Sequence, residues 1–82
     1  MEFKIGDRVR IKDDYHYYKG RSGKFGTVVD NPGKNSSPGI CHDDYIGGHN
    51  CNGHCPEGYG WYYNSNEIEL SSSPTDTLIL LL

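Results

Sequence analysis

Eighty-two residues leave room for one small core and exclude most enzymes that depend on a deep cleft. The chain has no alanine and eleven glycines, a composition that argues against a helical bundle. Net charge is −3, but residues 1–25 hold seven Lys/Arg against four Asp/Glu while residues 26–82 hold one against seven, which predicts a molecule with a basic and an acidic side.

Phe3, Ile5, Val9 and Ile11 alternate with Lys4, Arg8, Arg10 and Lys12 about a turn or bulge at Gly6-Asp7, so the first element reads as a strand with one wet, basic face. Residues 13–23 are polar and aromatic and form a long excursion. The β-branched run at residues 24–30 is a second strand that stops at Asn31-Pro32-Gly33. Residues 39–42 make a short third strand. Residues 43–60 form a glycine-rich loop anchored by Tyr45-Ile46. Trp61-Tyr62-Tyr63 restarts a strand, Asn64-Ser65-Asn66 turns, and residues 67–70 alternate with Ile68 and Leu70 inward. Five short strands on so small a core predict an all-β, closed or nearly closed five-stranded barrel with two long loops over residues 1–70. With few aliphatics available, Trp61 is expected in that core.

Residues 71–82 are a flexible spacer and an apolar tail, Leu78, Ile79, Leu80, Leu81 and Leu82, for which self-association is the sharper reading and a bare chain end the blander one. The tail is far below the roughly 20 residues of a membrane span, so no membrane partner is expected. The start, Met-Glu-Phe-Lys-Ile-Gly-Asp, lacks the apolar run of an export signal. With an odd number of cysteines, it suggests a reducing, cytoplasmic setting.

Cys41, His49, Cys51, His54 and Cys55 are the densest set of candidate metal ligands, and zinc would take four of them. The other reading buries Cys51 as a small apolar group, bonds His49 to backbone and requires no cofactor. A Cys-His-Asp catalytic arrangement lacks a pocket to work in, and Cys41 and His42 face opposite sides of a strand, so no catalytic residues are expected. Tyr15, Tyr17, Tyr18, Lys19 and Arg21, with Arg8 and Arg10 of the first strand, interleave rings and cations as single-stranded nucleic acid requires. Protein interfaces use the same residue types, and some of these rings are expected to cover an open end of the barrel.

Phe3-Lys4-Ile5-Gly6-Asp7-Arg8-Val9, Gly23-Lys24-Phe25-Gly26-Thr27-Val28-Val29 and the closing Glu67-Ile68-Glu69-Leu70 resemble the framework of SH3-like barrels, including the KOW type. Residues 39–53, followed by Gly58-Tyr59-Gly60-Trp61, resemble a block in small SH3-fold proteins of tailed bacteriophages and prophages. That resemblance implies a bacterial host cytosol and a fold, with no settled activity attached to the family; the first functional reading is a non-enzymatic module of phage or prophage origin occupying a host protein surface, with inhibition of host defence, in the manner of an anti-CRISPR protein, as one form. Asp43, Asp44, Glu57, Tyr59, Tyr62, Glu67 and Glu69 would then meet a basic partner, itself a nucleic-acid-binding protein in one version. The rival readings are a KOW-like nucleic-acid binder and a zinc-stabilised structural module.

Overall fold

The structure, a computed structural model, describes residues 3–31 and 37–71. Five strands, β1 (Arg8–Ile11), β2 (Phe25–Asp30), β3 (Gly39–His42), β4 (Gly60–Tyr62) and β5 (Ile68–Leu70), form one antiparallel sheet in the order β4-β3-β2-β1-β5. A 3-10 turn at Ser65–Glu67 precedes β5. The middle of the Asn31-Pro32-Gly33 turn and the expected tail lie outside the described residues. Among the described residues no helix is long and apolar enough to cross a membrane.

Alternation builds the core. Val9 and Ile11 on β1, Val28 on β2, Ile40 on β3 and Ile68 on β5 point to one face and are fully or almost fully buried, joined by Phe3, Tyr15 and Tyr63. Gly26, paired with Val9 on one side and His42 on the other, leaves space for Ile40. A Cβ at Gly26 would stand 2.6 Å from Ile40 Cγ2 and 2.7 Å from the Cys41 carbonyl oxygen. A bulge between Val28 and Asp30 then shifts the register against β3.

Two expectations are corrected at the amino end. The first strand begins at Arg8: Asp7 donates its backbone N–H to the Lys4 carbonyl, while its carboxylate accepts from the Lys4 N–H at 2.8 Å, so residues 4–7 turn. Ile5 is consequently 67% exposed, whereas Phe3 is buried. At the other end Ile68 is inward as expected, but Leu70 is half-exposed because β5 is an outer strand reaching the rim.

The sheet also does not close into a barrel. Among the described residues β4 and β5 are not paired, and the chain between them spends its backbone groups elsewhere. Tyr63 N–H goes to the Pro38 carbonyl, Glu67 N–H to Asn64, and the Glu67 carbonyl accepts from Lys12. The Glu67 carboxylate accepts the Asn64 N–H at 2.8 Å and fastens the 3-10 turn across the opening.

Candidate functional site

Two loops border the open side of the sheet. The first is closed at its base where Gly23 N–H meets the Ile11 carbonyl and Ile11 N–H meets Lys24, both at 2.8 Å. The second runs from β3 to β4 and returns through the bridge between His49 and Gly60. Tyr15 is the ring from the first loop that turns inward, meeting Tyr63 edge-on at 5.3 Å, whereas Tyr17 and Tyr18 stay exposed. Trp61 differs from expectation. It is half-buried and packs on the outside of the core, because β4 ends at Tyr62 and Tyr63 takes the interior place. The indole is held edge-on by Tyr18 at 5.0 Å, stacked on His49 at 5.1 Å, and capped by Arg21, whose guanidinium carbon lies 4.5 Å from both the Trp61 and Tyr18 ring centres.

The outcome is a concavity of about 510 Å³ lined by Tyr15, Tyr17, Tyr18, Trp61 and Tyr62 together with Asn64 and Glu67. Tyr62 is fixed in it: its hydroxyl donates to Asp30 at 2.5 Å and accepts from Asn52 at 2.8 Å. The Asp30 carboxylate and burial push that phenol up to about 12. His16 stacks on Tyr17 at 4.5 Å. Tyr59 stands apart from this groove, edge-on to Tyr45 at 5.7 Å.

The separate basic and acidic sides read from the sequence meet in space. Arg8 makes a two-pronged contact with Asp43 at 2.8 and 2.6 Å and also donates to Thr27. The hydrogen bonds that Arg8 donates to Asp43 hold that carboxyl below its ordinary value. Arg10 lies between Asp13 at 2.5 Å and Glu69 at 3.6 Å, and Lys24 faces Asp44 at 3.6 Å. The β1 cations are therefore matched by carboxylates, two of which, Asp43 and Glu69, are among those expected to meet a partner, and a third, Asp44, is engaged by Lys24. These pairs are substantially hydrated, and each contributes little to stability. Glu57 is exposed.

The cysteine-histidine loop is held by its own backbone. Gly53 and Cys55 N–H groups donate to the Asn50 carbonyl, and Cys51, Asn52 and Gly53 all take positive φ, with Cys51 at 48° and Asn52 at 57°. Cys51 is wholly buried, its Sγ 3.8 Å from the Ile40 carbonyl in a slot that Gly39 and Gly60 leave open. His49 Nδ1 accepts the Cys51 N–H at 2.9 Å. Burial pushes the Cys51 thiol up to about 11; for Cys55, burial and the adjoining Cys41 thiol push it to about 12. His54 is exposed. All three thiols are free, and among the described residues no three His, Cys, Asp or Glu groups are arranged to hold a metal ion.

A buried polar chain was missed at the sequence level. His42 is 2% exposed, with Nε2 2.7 Å from the Tyr63 hydroxyl. Arg21, 7% exposed and a donor only, stands close enough to act on that phenol, and which of His42 and Tyr63 donates across their contact follows the ring's tautomer. His42 Nδ1 and Arg21 Nη1 are left buried without a hydrogen-bond partner. Burial first, then the charges of Arg21 and Lys24, lower His42 to about 4. Parity was the available signal, since Ile40 and His42 share one face of β3.

Comparison with protein-family models, curated proteins and solved structures finds no match to this chain.

Proposed function

We propose that the chain is a non-enzymatic binding module of SH3-like architecture that takes an extended segment of a partner protein along the groove of Tyr15, Tyr17, Tyr18, Trp61 and Tyr62. The return of β5 to pair with β1 supports the architecture. The groove supports the function. Five rings on one open concavity of about 510 Å³ are more than an interior requires, and two of them, Tyr17 and Tyr18, are 68% and 45% exposed. The rings stand edge-on, Tyr15 to Tyr17 at 65° and Tyr18 to Trp61 at 72°, and gaps between such rings suit the prolines of a polyproline-type helix, which fill them at little entropic cost. Glu67, which also lines the groove and uses one carboxylate oxygen on Asn64, supplies a negative charge that complements a basic residue of that segment.

Given the phage or prophage setting that the resemblance suggests, the partner is a host protein, and obstruction of a host defence factor is one consequence of occupying it. Nucleic acid is less well supported. Arg8 and Arg10 already face carboxylates, and Lys19, Arg21 and Lys24 gather at one pocket instead of forming a track along which successive phosphates of a strand could be neutralised.

Trp61 is the single tryptophan and lines the groove, so its fluorescence reports occupancy directly. Titration with proline-rich peptides carrying an arginine is expected to give a saturable change that Tyr17→Ala weakens about tenfold, the size of a hot-spot ring. A flat signal across such a panel, with no difference between wild type and Tyr17→Ala in the proteins captured from bacterial lysate, would overturn the reading.

A further inference from the structure

We propose that a second pocket, between the first loop and the β3–β4 loop, binds an oxyanion of the phosphate class, free or carried as a phosphomonoester. It has a volume of about 340 Å³, with Lys19, Arg21 and Lys24 on one side and Tyr45 and Gly47 on the other. This site is independent of peptide binding in the aromatic groove, although Arg21 borders both.

The argument rests on unbalanced charge. Arg21 is 7% exposed, its Nη1 has no partner, and among the described residues it forms no ion pair. Two aromatic faces offset part of the cost of burying a permanent cation, but they do not neutralise it. Lys19 is exposed and, among the described residues, forms no hydrogen bond or ion pair. Lys24 meets Asp44 at 3.6 Å, with that carboxylate 74% exposed, a hydrated pair that yields readily to a more highly charged anion.

The neighbouring imidazole senses the same field. After burial itself, Arg21 and Lys24 are the largest influences disfavouring a proton on His42, ahead of the opposing Asp43 and Asp44. The pocket mouth is open, since a Cβ at Gly20 or Gly47 would meet nothing within 4 Å. Three cations around one cavity match a dianion with several acceptor oxygens better than a singly charged carboxylate. The overall charge of −3 keeps such recognition local to the pocket.

The test is a titration of the ¹⁵N-labelled full chain with sodium phosphate at constant ionic strength, followed by NMR, with sodium chloride as the control. Saturable shifts confined to Gly20, Arg21 and Gly47, weakened about fivefold by Lys19→Gln and unchanged by Tyr17→Ala, are expected. Phenyl phosphate separates the two sources: tighter binding than inorganic phosphate assigns the monoester, and equal binding assigns the free ion. Equal shifts with chloride, or an affinity indifferent to Lys19→Gln, would overturn the proposal.

Discussion

Lowering the pH should strip this protein of much of its stability through one buried ring. In the unfolded chain His42 has its ordinary value of 6.5; in the folded chain it lies at about 4. Between those values the unfolded state takes up a proton that the folded state refuses. Stability is therefore fully present above 6.5 and falls as pH drops toward 4, below which both states are protonated and the loss stops. At about 1.4 kcal/mol per pH decade the interval amounts to about 3 kcal/mol, most of the roughly 5 kcal/mol that a small domain possesses. The ring has nowhere to put the second proton's charge: Tyr63 already occupies Nε2, Nδ1 has no acceptor, and Arg21 and Lys24 are close enough to repel it. Urea unfolding followed by Trp61 fluorescence, with a slope of about 1 kcal/mol per molar, should show the midpoint falling by about 3 M between about pH 7.5 and pH 4. Asp43 does not confuse that window, because its lowered carboxyl loses its contribution only as pH falls below 3.8. A midpoint that stays flat, a dependence that survives in His42→Gln, or a folded-state His42 titration near 6.5 by NMR would refute the reasoning.

Gly26→Ala should lower stability by about 1–3 kcal/mol in the same urea assay, because the new methyl meets the Cys41 backbone oxygen and the Ile40 side chain cannot clear both. Tyr62→Phe removes the hydroxyl shared by Asp30 and Asn52 and should cost about 1–2 kcal/mol, with the melting temperature as readout. Phe3→Ala should cost about 3 kcal/mol and Ile5→Ser less than about 0.5 kcal/mol, a contrast that checks by thermal melting where the first strand begins.

The parts of the fold visible in the sequence were those where neighbouring residues decide the matter. The β-branched run closing β2 and the short β3 emerged within a residue of their boundaries, and Cys51 was foreseen as a buried small group. What remained hidden depends on partners far along the chain. Arg8 and Asp43 are thirty-five positions apart, so their pairing is invisible to local pattern, and a charge split along the sequence does not say that the two halves stay apart in space. Ile5 satisfies the alternation but lies on a turn, which alternation cannot sense. Trp61 and Tyr63 share parity; the end of β4 at Tyr62 and the Pro38 bond to Tyr63 settle which of them enters the core. In the candidate site the tyrosines of the first loop were recognisable as a group, whereas their junction with Trp61, Tyr62 and Glu67 required the tertiary fold.

The unpaired seam between β4 and β5 has a cost and a use in the same place. Had those strands joined, Trp61 and Tyr62 would stand beside another strand and the 3-10 turn would have no opening to cross. Stabilising this border, by a designed crosslink or added strand pairing, would raise the melting temperature while erasing the aromatic trough beside it. The robustness of the molecule accordingly rests on the paired strands β1, β2 and β3, and the proposed binding role depends on the one border of the sheet that those pairings leave alone.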